Sequence, residues 1–138
     1  MKNQKKNDGE LVFPFSTEAI KEGSAVLLVP KLETYAMGRM EYIPSKAPVF
    51  YNPLMEFNRD VAVLALRAYQ KRVNRSLCVC EPFAGCGVRG IRFAKEVQNV
   101  DRVVLNDLNP FATKLTRLNL EKNGLAKEIT LKNTDANV

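Results

Sequence analysis

The stretch EPFAGCGVRG, residues 81–90, places an acidic residue ahead of a glycine-rich loop. Gly85, Gly87 and Gly90 fit the spacing G-x-G-x-x-G, in which glycines let the backbone turn tightly and approach a ligand closely. A helix that begins directly after such a loop directs its first N–H groups towards negative charge. The pattern therefore predicts a loop that binds a nucleotide-like cofactor.

The acid at position 81 helps to distinguish two kinds of cofactor. In dinucleotide-binding folds the first glycine usually follows the strand almost directly, whereas here Glu81 and three further residues precede Gly85. A carboxylate repels a pyrophosphate but attracts a cofactor that carries an ammonium and a sulfonium group. The arrangement Glu81-x-x-x-Gly85-x-Gly87 resembles the first motif of class I S-adenosyl-L-methionine-dependent methyltransferases. It favours that methyl donor, although the glycine pattern alone leaves an NAD-dependent oxidoreductase open.

Two further acids follow predicted strands. Asp107 closes VVLND, about where an acidic residue binds ribose hydroxyls in dinucleotide folds. The same strand end holds the cofactor ribose in methyltransferases, so Asp107 does not discriminate between a dinucleotide and S-adenosyl-L-methionine. A turn or cap residue before Pro110 is its alternative interpretation. Asp135, in TDAN, closes the third strand, where methyltransferases commonly contact the adenine amino group.

Strands and helices alternate in the part of the chain that must position these residues. Buried strands are predicted at SLCVCEPF, DRVVLND and EITLKN, with helices at VRGIRFAKEV and LNPFATKLTRLNLEKNG between them. Asn109 and Pro110 are typical of a helix start and Gly124 of a helix end. In the first of these helices, Ile91 and Val97 are expected to face inward with Ala94. The pattern predicts an α/β fold with a parallel β-α-β-α-β sheet, the N-terminal half of a Rossmann-like class I methyltransferase domain. We expect a truncated protein or fragment.

The residues before this half-fold predict a short strand-containing extension. A turn at residues 22–24 precedes AVLLVP, a strand that Pro30 closes, and little periodicity follows between Leu32 and Pro48. From about Asn58, apolar residues at helical spacing predict an amphipathic helix with the stripe Val61, Leu64, Leu66, Ala68 and Tyr69. We therefore divide the chain into a disordered basic arm (1–10), a strand and loop extension (11–56) and a partial cofactor-binding domain (57–138).

Composition and charge narrow the classes of function. Lys and Arg exceed Asp and Glu by 21 to 15, a formal charge of +6 that favours polyanionic partners. The three cysteines Cys78, Cys80 and Cys86 indicate reduced thiols in a cytosol, with Cys78 and Cys80 as small buried hydrophobes. Without histidine or a second cysteine pair, we expect no metal site. The basic N-terminus lacks the apolar run of a signal peptide, and we expect no membrane association.

Three segments together resemble one methyltransferase family. VFYNPLMEFNRDVAVLAL, GCGVRGIRFAKE and VVLNDLNPFATKLTRLNL resemble the tRNA (guanine(26)-N2)-dimethyltransferases, in which F-Y-N-P-x-M-x-x-N-R-D precedes the first motif. The resemblance implies cofactor contacts at Arg59, Arg89, Asp107, Asp135 and Ala136, the two arginines holding the carboxylate of the donor. Taken without the family, Arg59 is interpreted as a helix-start arginine paired with Glu56 or Asp60, and Arg89 as an exposed helix arginine.

The resemblance also implies an activity and shows two departures from the family. The family transfers methyl groups from S-adenosyl-L-methionine to N2 of guanine 26 in tRNA, as a cytoplasmic tRNA-processing enzyme. Glu81 replaces the usual Asp, and the catalytic Asp-Pro-Phe-Gly segment is absent. We expect the catalytic aspartate beyond Val138, so no catalytic residue is predicted within the chain. Asn109–Phe111 resembles an N-P-P-[FY] motif, but a helix cap explains it more simply.

These departures limit what the chain is expected to do. We expect weak cofactor binding and no methylation by this chain alone. There are two alternatives to this function. The chain could belong to another class I RNA, DNA or protein methyltransferase, or it could be a non-catalytic basic RNA-binding module.

Overall fold

A computed structural model describes residues 13–37 and 41–137 of the chain. The helices and strands are, in chain order, β1 (Thr17–Glu22), β2 (Ala25–Pro30), β3 (Ala36–Met37), β4 (Glu41–Tyr42), α1 (Glu56–Val73), β5 (Leu77–Glu81), α2 (Val88–Glu96), β6 (Val100–Asn106), α3 (Pro110–Lys122) and β7 (Ile129–Lys132).

Two of the sequence-based expectations fall outside these residues. The arm predicted at residues 1–10 lies outside the described residues. Val138, the last residue of the predicted cofactor-binding domain, lies outside them as well. The expectation of a catalytic aspartate beyond Val138 therefore stays a prediction.

A three-stranded parallel sheet in the order β5-β6-β7 forms the C-terminal part of the molecule. Helix α2 connects β5 to β6 and α3 connects β6 to β7, which confirms the predicted β-α-β-α-β half-fold. The carboxyl ends of the three strands meet at one edge of the sheet, with Glu81 ending β5 and Asp107 directly following β6. This edge is where open α/β sheets bind ligands.

The prediction that Cys78 and Cys80 are buried is wrong. Both thiols are exposed, whereas Cys86 in the glycine loop is buried. Successive side chains of a strand point to opposite faces, and the face carrying Leu77, Val103 and Leu105 is the one in the core. Cys78 and Cys80 point to the other face of β5, an edge strand of the sheet, where the described residues leave them accessible.

The N-terminal extension does not stand apart from the sheet domain. Strands β1 and β2 form an antiparallel hairpin, and alternate residues of β2, Ala25, Leu27 and Val29, are fully buried in the main core. The Asn119 side chain in α3 accepts from the Leu28 N–H (2.6 Å) and donates to the Leu28 carbonyl (3.0 Å), so that it pairs with β2 as a neighbouring strand would. The hairpin is thus held on the helices that follow the glycine loop.

Helix α1 buries a different face from the predicted apolar stripe. The helix is confirmed, but Val61, Leu64 and Tyr69 are exposed and the fully buried positions are Arg59, Val63 and Gln70. The inward face is polar at Arg59 because this arginine finds a buried carboxylate partner in the hairpin. Hydrophobic periodicity alone does not predict such a partner.

Helices α2 and α3 follow their predictions closely. Ile91 and Val97 are buried and Ala94 packs against the core. Asn109 caps α3 by accepting from the Phe111 N–H at 2.9 Å, and Pro110 is the first helical residue. The segment Asn109–Phe111 is therefore a helix start, as the simpler interpretation expected.

Among the helices of the described ranges, none combines the length and the apolar character that crossing a lipid bilayer requires.

Candidate functional site

The glycine loop between β5 and α2 adopts a conformation that requires its first two glycines. Gly85 and Gly87 have φ values of +57° and +80°, in the left-handed region that other residues adopt at a cost. A Cβ at Gly85 would lie 2.9 Å from the Phe50 carbonyl oxygen, and one at Gly87 would lie 2.7 Å from Cγ2 of Thr116. The loop is packed from two sides, and its shape is thereby fixed.

The third glycine has a packing role. A Cβ at Gly90 would collide with Cδ2 of Leu105 in β6, so this glycine lets α2 lie close against the sheet. The Gly90 N–H also donates to Oε2 of Glu81 at 3.1 Å. Gly90 therefore helps to fix the acid at the end of β5.

A small cleft of about 90 Å³ opens beside this loop. It is lined by Phe50, Tyr51, Met55, Arg59, Glu81, Phe83, Ala84, Gly85, Val88 and Arg89. Two larger hollows, of about 270 and 260 Å³, lie elsewhere and contain none of the predicted site residues. The cleft is the better candidate because it brings together Arg59, Glu81, Gly85 and Arg89, although they were predicted from separate motifs.

Glu81 is a largely buried carboxylate with a shifted pKa. Its side chain is 14% exposed, and Nη1 of Arg89 lies 3.8 Å from its Oε1. Burial raises the pKa of Glu81 from 4.5 to about 7, because the charged form is removed from water, and Arg89 and the Gly90 N–H offset only part of that cost. An ammonium group placed in the cleft would add a second positive charge beside this carboxylate.

Arg89 has an unsatisfied donor at the same cleft. Its Nε is buried and has no hydrogen-bond partner among the described residues. Buried polar atoms are nearly always hydrogen-bonded, so an unpaired one marks a place where a ligand can complete the site. Together, the acid and the arginine would suit a zwitterionic amino acid group, which carries an ammonium and a carboxylate.

Arg59 is held by Glu22. Its Nε lies 2.6 Å from Oε1 of Glu22 and its Nη2 lies 2.7 Å from Oε2, a bidentate pair that is almost fully buried. The alternative pairing of Arg59 with Glu56 or Asp60 is wrong, since Asp60 instead contacts Arg92. Arg59 still lines the cleft, as the family resemblance requires of a cofactor contact.

Asp107 supports the loop from the end of the neighbouring strand. Its Oδ2 accepts from the Gly85 N–H at 2.8 Å and its Oδ1 from the Asn109 N–H at 2.9 Å. Each carboxylate oxygen can accept a second hydrogen bond, so these contacts leave acceptor capacity for a ribose hydroxyl. Asp107 lies outside the lining of the cleft, further along the same sheet edge.

Asp135 and Ala136 lie in an exposed turn after β7. Oδ1 of Asp135 accepts from the backbone N–H and the side-chain amide of Asn137, both at 2.9 Å. Asn106, for which the sequence predicted no separate role, anchors this turn by donating to the carbonyls of Pro82 and Thr134. It thereby ties the segment before Asp135 to the end of β5.

The parallel half-fold, with its glycine loop at the carboxyl edge of the sheet, is that of the class I S-adenosyl-L-methionine-dependent methyltransferases. The family model for N2,N2-dimethylguanosine tRNA methyltransferase matches residues 23–138, and the chain belongs to that family. The tRNA (guanine(26)-N(2))-dimethyltransferase of Methanosphaera stadtmanae is 38% identical over 88% of this chain, and that of Pyrobaculum islandicum 46% identical over 86%. The chain spans only 29% and 30% of their lengths.

Solved structures share the fold of this chain. Trm1 from Pyrococcus horikoshii in complex with S-adenosyl-L-methionine superposes with a TM-score of 0.59 and 34% identity, covering 77% of this chain and 24% of that protein. The tRNA m1G37 methyltransferase of M. jannaschii superposes with a TM-score of 0.60 at 22% identity, over 89% of this chain and 30% of its own, and shows likeness of fold alone.

Proposed function

We propose that this chain forms the S-adenosyl-L-methionine-binding part of a tRNA guanine-N2-dimethyltransferase, with guanine 26 as the expected target. The observation that carries the proposal is the cleft in which a buried Glu81 faces Arg89, whose Nε lacks a partner among the described residues. Family membership supports the reaction class. The names of the relatives support the target.

The residues of the cleft fit the amino acid end of the methyl donor. Glu81 would accept the ammonium, and Arg89 would pair with the carboxylate together with Arg59. Both kinds of contact are charge-assisted hydrogen bonds. Small-molecule sites typically measure about 300–1,000 Å³, so a cleft of about 90 Å³ suits only this end of the donor.

The rest of the donor would extend along the carboxyl edge of the sheet. Asp107 would accept from the ribose hydroxyls, and Asp135 with the Ala136 backbone would hold the adenine. The bound donor supplies an electrophilic methyl group on its sulfonium. The contribution of this chain is to bind and orient it. We assign no catalytic residue among the described residues, and the catalytic aspartate of the family is expected beyond Val138.

The proposed macromolecular partner is tRNA. The formal charge of +6 favours a polyanion, and phosphate contacts from Lys and Arg supply most of the sequence-independent affinity for nucleic acid. Lys71 and Arg72 lie exposed in the last turn of α1, and Arg75 follows that helix. Binding of tRNA that weakens steeply with salt would support their involvement.

Calorimetric titration of the whole chain with S-adenosylhomocysteine tests the cofactor assignment. We expect binding that Arg89→Gln weakens about tenfold or more, the value of a hydrogen bond to a charged group. Arg117→Gln, on the exposed face of α3, is the matched control and should bind like wild type. Displacement by NADH would instead favour an oxidoreductase. A chain that binds tRNA but no methyl donor would favour the non-catalytic RNA-binding module.

A further inference from the structure

We infer that Glu22, at the end of the first strand of the N-terminal hairpin, is a positioning residue that sets Arg59 and Tyr51 for recognition of the cofactor's amino acid group. The inference rests on the proposed function. Glu22 itself does not line the cleft, whereas Arg59 and Tyr51 both do. It therefore acts on a ligand through them.

The contacts of Glu22 leave these two side chains little freedom. Its carboxylate is 1% exposed, receives two hydrogen bonds from Arg59, and accepts from the Tyr51 hydroxyl at 3.0 Å. The guanidinium of Arg59 also lies over the Tyr51 ring, 5.2 Å from its centroid. Because Nε and Nη2 of Arg59 are both occupied, the plane of the guanidinium is fixed.

A second arginine also binds Glu22. Nη1 of Arg92 in α2 lies 3.1 Å from Oε1 of Glu22, while its other nitrogens contact Glu96 and Asp60. The hairpin turn closes over this network, since a Cβ at Gly23 would lie 2.7 Å from Nε of Arg92. The carboxylate thus binds two arginines, Arg92, which does not line the cleft, and Arg59, which does.

The energetics argue against stability as the only role of this network. Removing ions from water costs several kcal/mol, and apolar replacements of buried ion pairs are often neutral or stabilising. A buried ion pair is better explained where the orientation of one member matters. Here that member is Arg59, because it forms a wall of the cleft beside Glu81.

The test compares two ligands that differ only in the group that Arg59 would recognise. S-adenosylhomocysteine carries the amino acid moiety, and 5′-methylthioadenosine keeps the adenosine and thioether without it. In Glu22→Gln we expect the affinity for the first ligand to fall about tenfold or more and that for the second to change less than twofold. Glu96→Gln disturbs Arg92 in the same network without touching Arg59, and it should leave the ratio of affinities unchanged.

A second variant covers the possibility that Glu22→Gln fails to fold, which circular dichroism would reveal. Tyr51→Phe removes only the hydroxyl bonded to Glu22, and we expect it to lower the affinity ratio about threefold. Provided that wild type binds S-adenosylhomocysteine, two results in the folded variants would overturn the positioning role. One is an unchanged ratio of the affinities for the two ligands, and the other is an equal loss of affinity for both. Failure of wild type to bind S-adenosylhomocysteine would instead overturn the proposed function, and the inference with it.

Discussion

Protonation of Glu81 should control the affinity for the methyl donor. The free chain holds this carboxyl with a pKa of about 7, whereas a bound ammonium group requires the charged form. Lowering the pH from 7.5 to 5.5 should therefore raise the dissociation constant of S-adenosylhomocysteine by about 25-fold, because each binding event must first release the proton from Glu81. The amino acid group of the ligand keeps its charges in this range.

The assay is calorimetric titration at half-unit pH steps, with two controls. Glu81→Gln cannot ionise, so its weaker binding should be nearly independent of pH. Wild type should bind 5′-methylthioadenosine, which lacks the ammonium, with little pH dependence. An equally steep pH dependence in Glu81→Gln would show that another group is responsible and would refute the reasoning.

The same carboxyl predicts a change in stability with a definite sign. Folding raises the pKa of Glu81 from 4.5 to about 7, so the folded chain binds this proton more tightly than the unfolded chain. The contribution of Glu81 to the free energy of unfolding is therefore largest below pH 4.5 and falls as the pH rises to about 7. At pH 8, Glu81→Gln should be more stable than wild type by up to about 3 kcal/mol, whereas at pH 4 this difference should vanish. Urea denaturation at both pH values measures it.

Three further substitutions follow from the geometry of the loop and the sheet edge. In Gly85→Ala the new Cβ would lie 2.9 Å from the Phe50 carbonyl oxygen, whereas in Gly124→Ala, at a similar positive φ, it would meet no atom within 4 Å. In urea melts Gly124→Ala should therefore lose only about 1–2 kcal/mol of stability, and Gly85→Ala should lose more. A loss of stability in Gly85→Ala no greater than that in Gly124→Ala would show that the loop rearranges at little cost. In calorimetry, Asp107→Ala should lower the affinities for S-adenosylhomocysteine and for 5′-methylthioadenosine equally, about tenfold or more, because both ligands carry the ribose. A loss of affinity for S-adenosylhomocysteine alone would contradict the ribose assignment. Asn109→Ala removes the cap of α3 and should lower the free energy of unfolding by about 0.5–2 kcal/mol. An unchanged thermal unfolding midpoint would contradict this expectation.

Local signals were sufficient for the parallel half-fold and its carboxyl edge. The glycine loop, the acids that follow successive strands and the Asn109-Pro110 helix start each depend on neighbours within a few residues. Such features are set by backbone conformation and capping, and the amino acid types report them directly. The strand at Ala25–Pro30 was predicted for the same reason, since β-branched and aliphatic residues form a run that Pro30 closes.

The exposure of Cys78, Cys80 and the apolar stripe of α1 was not predictable in this way. Composition indicates which side chains prefer burial, but a sheet face or a helix face is buried only where another element lies on it. The described residues place α2 and α3 against the opposite face from the two thiols. The inward side of α1 instead carries Val63, which packs against Phe93 and Val97, and Arg59, which binds Glu22.

The sequence by itself determined the class of fold, the glycine loop at the carboxyl edge of the sheet and the acid that ends β5. Only the tertiary structure brought Glu22 from the hairpin to Arg59, a contact between residues 37 positions apart. Before a turn glycine, a glutamate looks like an ordinary solvent-exposed residue, and no local pattern marks it as buried. Its role follows from packing, because a charge enters the core only where partners from distant segments converge to replace its water. Local motifs therefore supply the chemical groups of the site, whereas contacts between distant segments, which cannot be predicted from the sequence, orient its side chains.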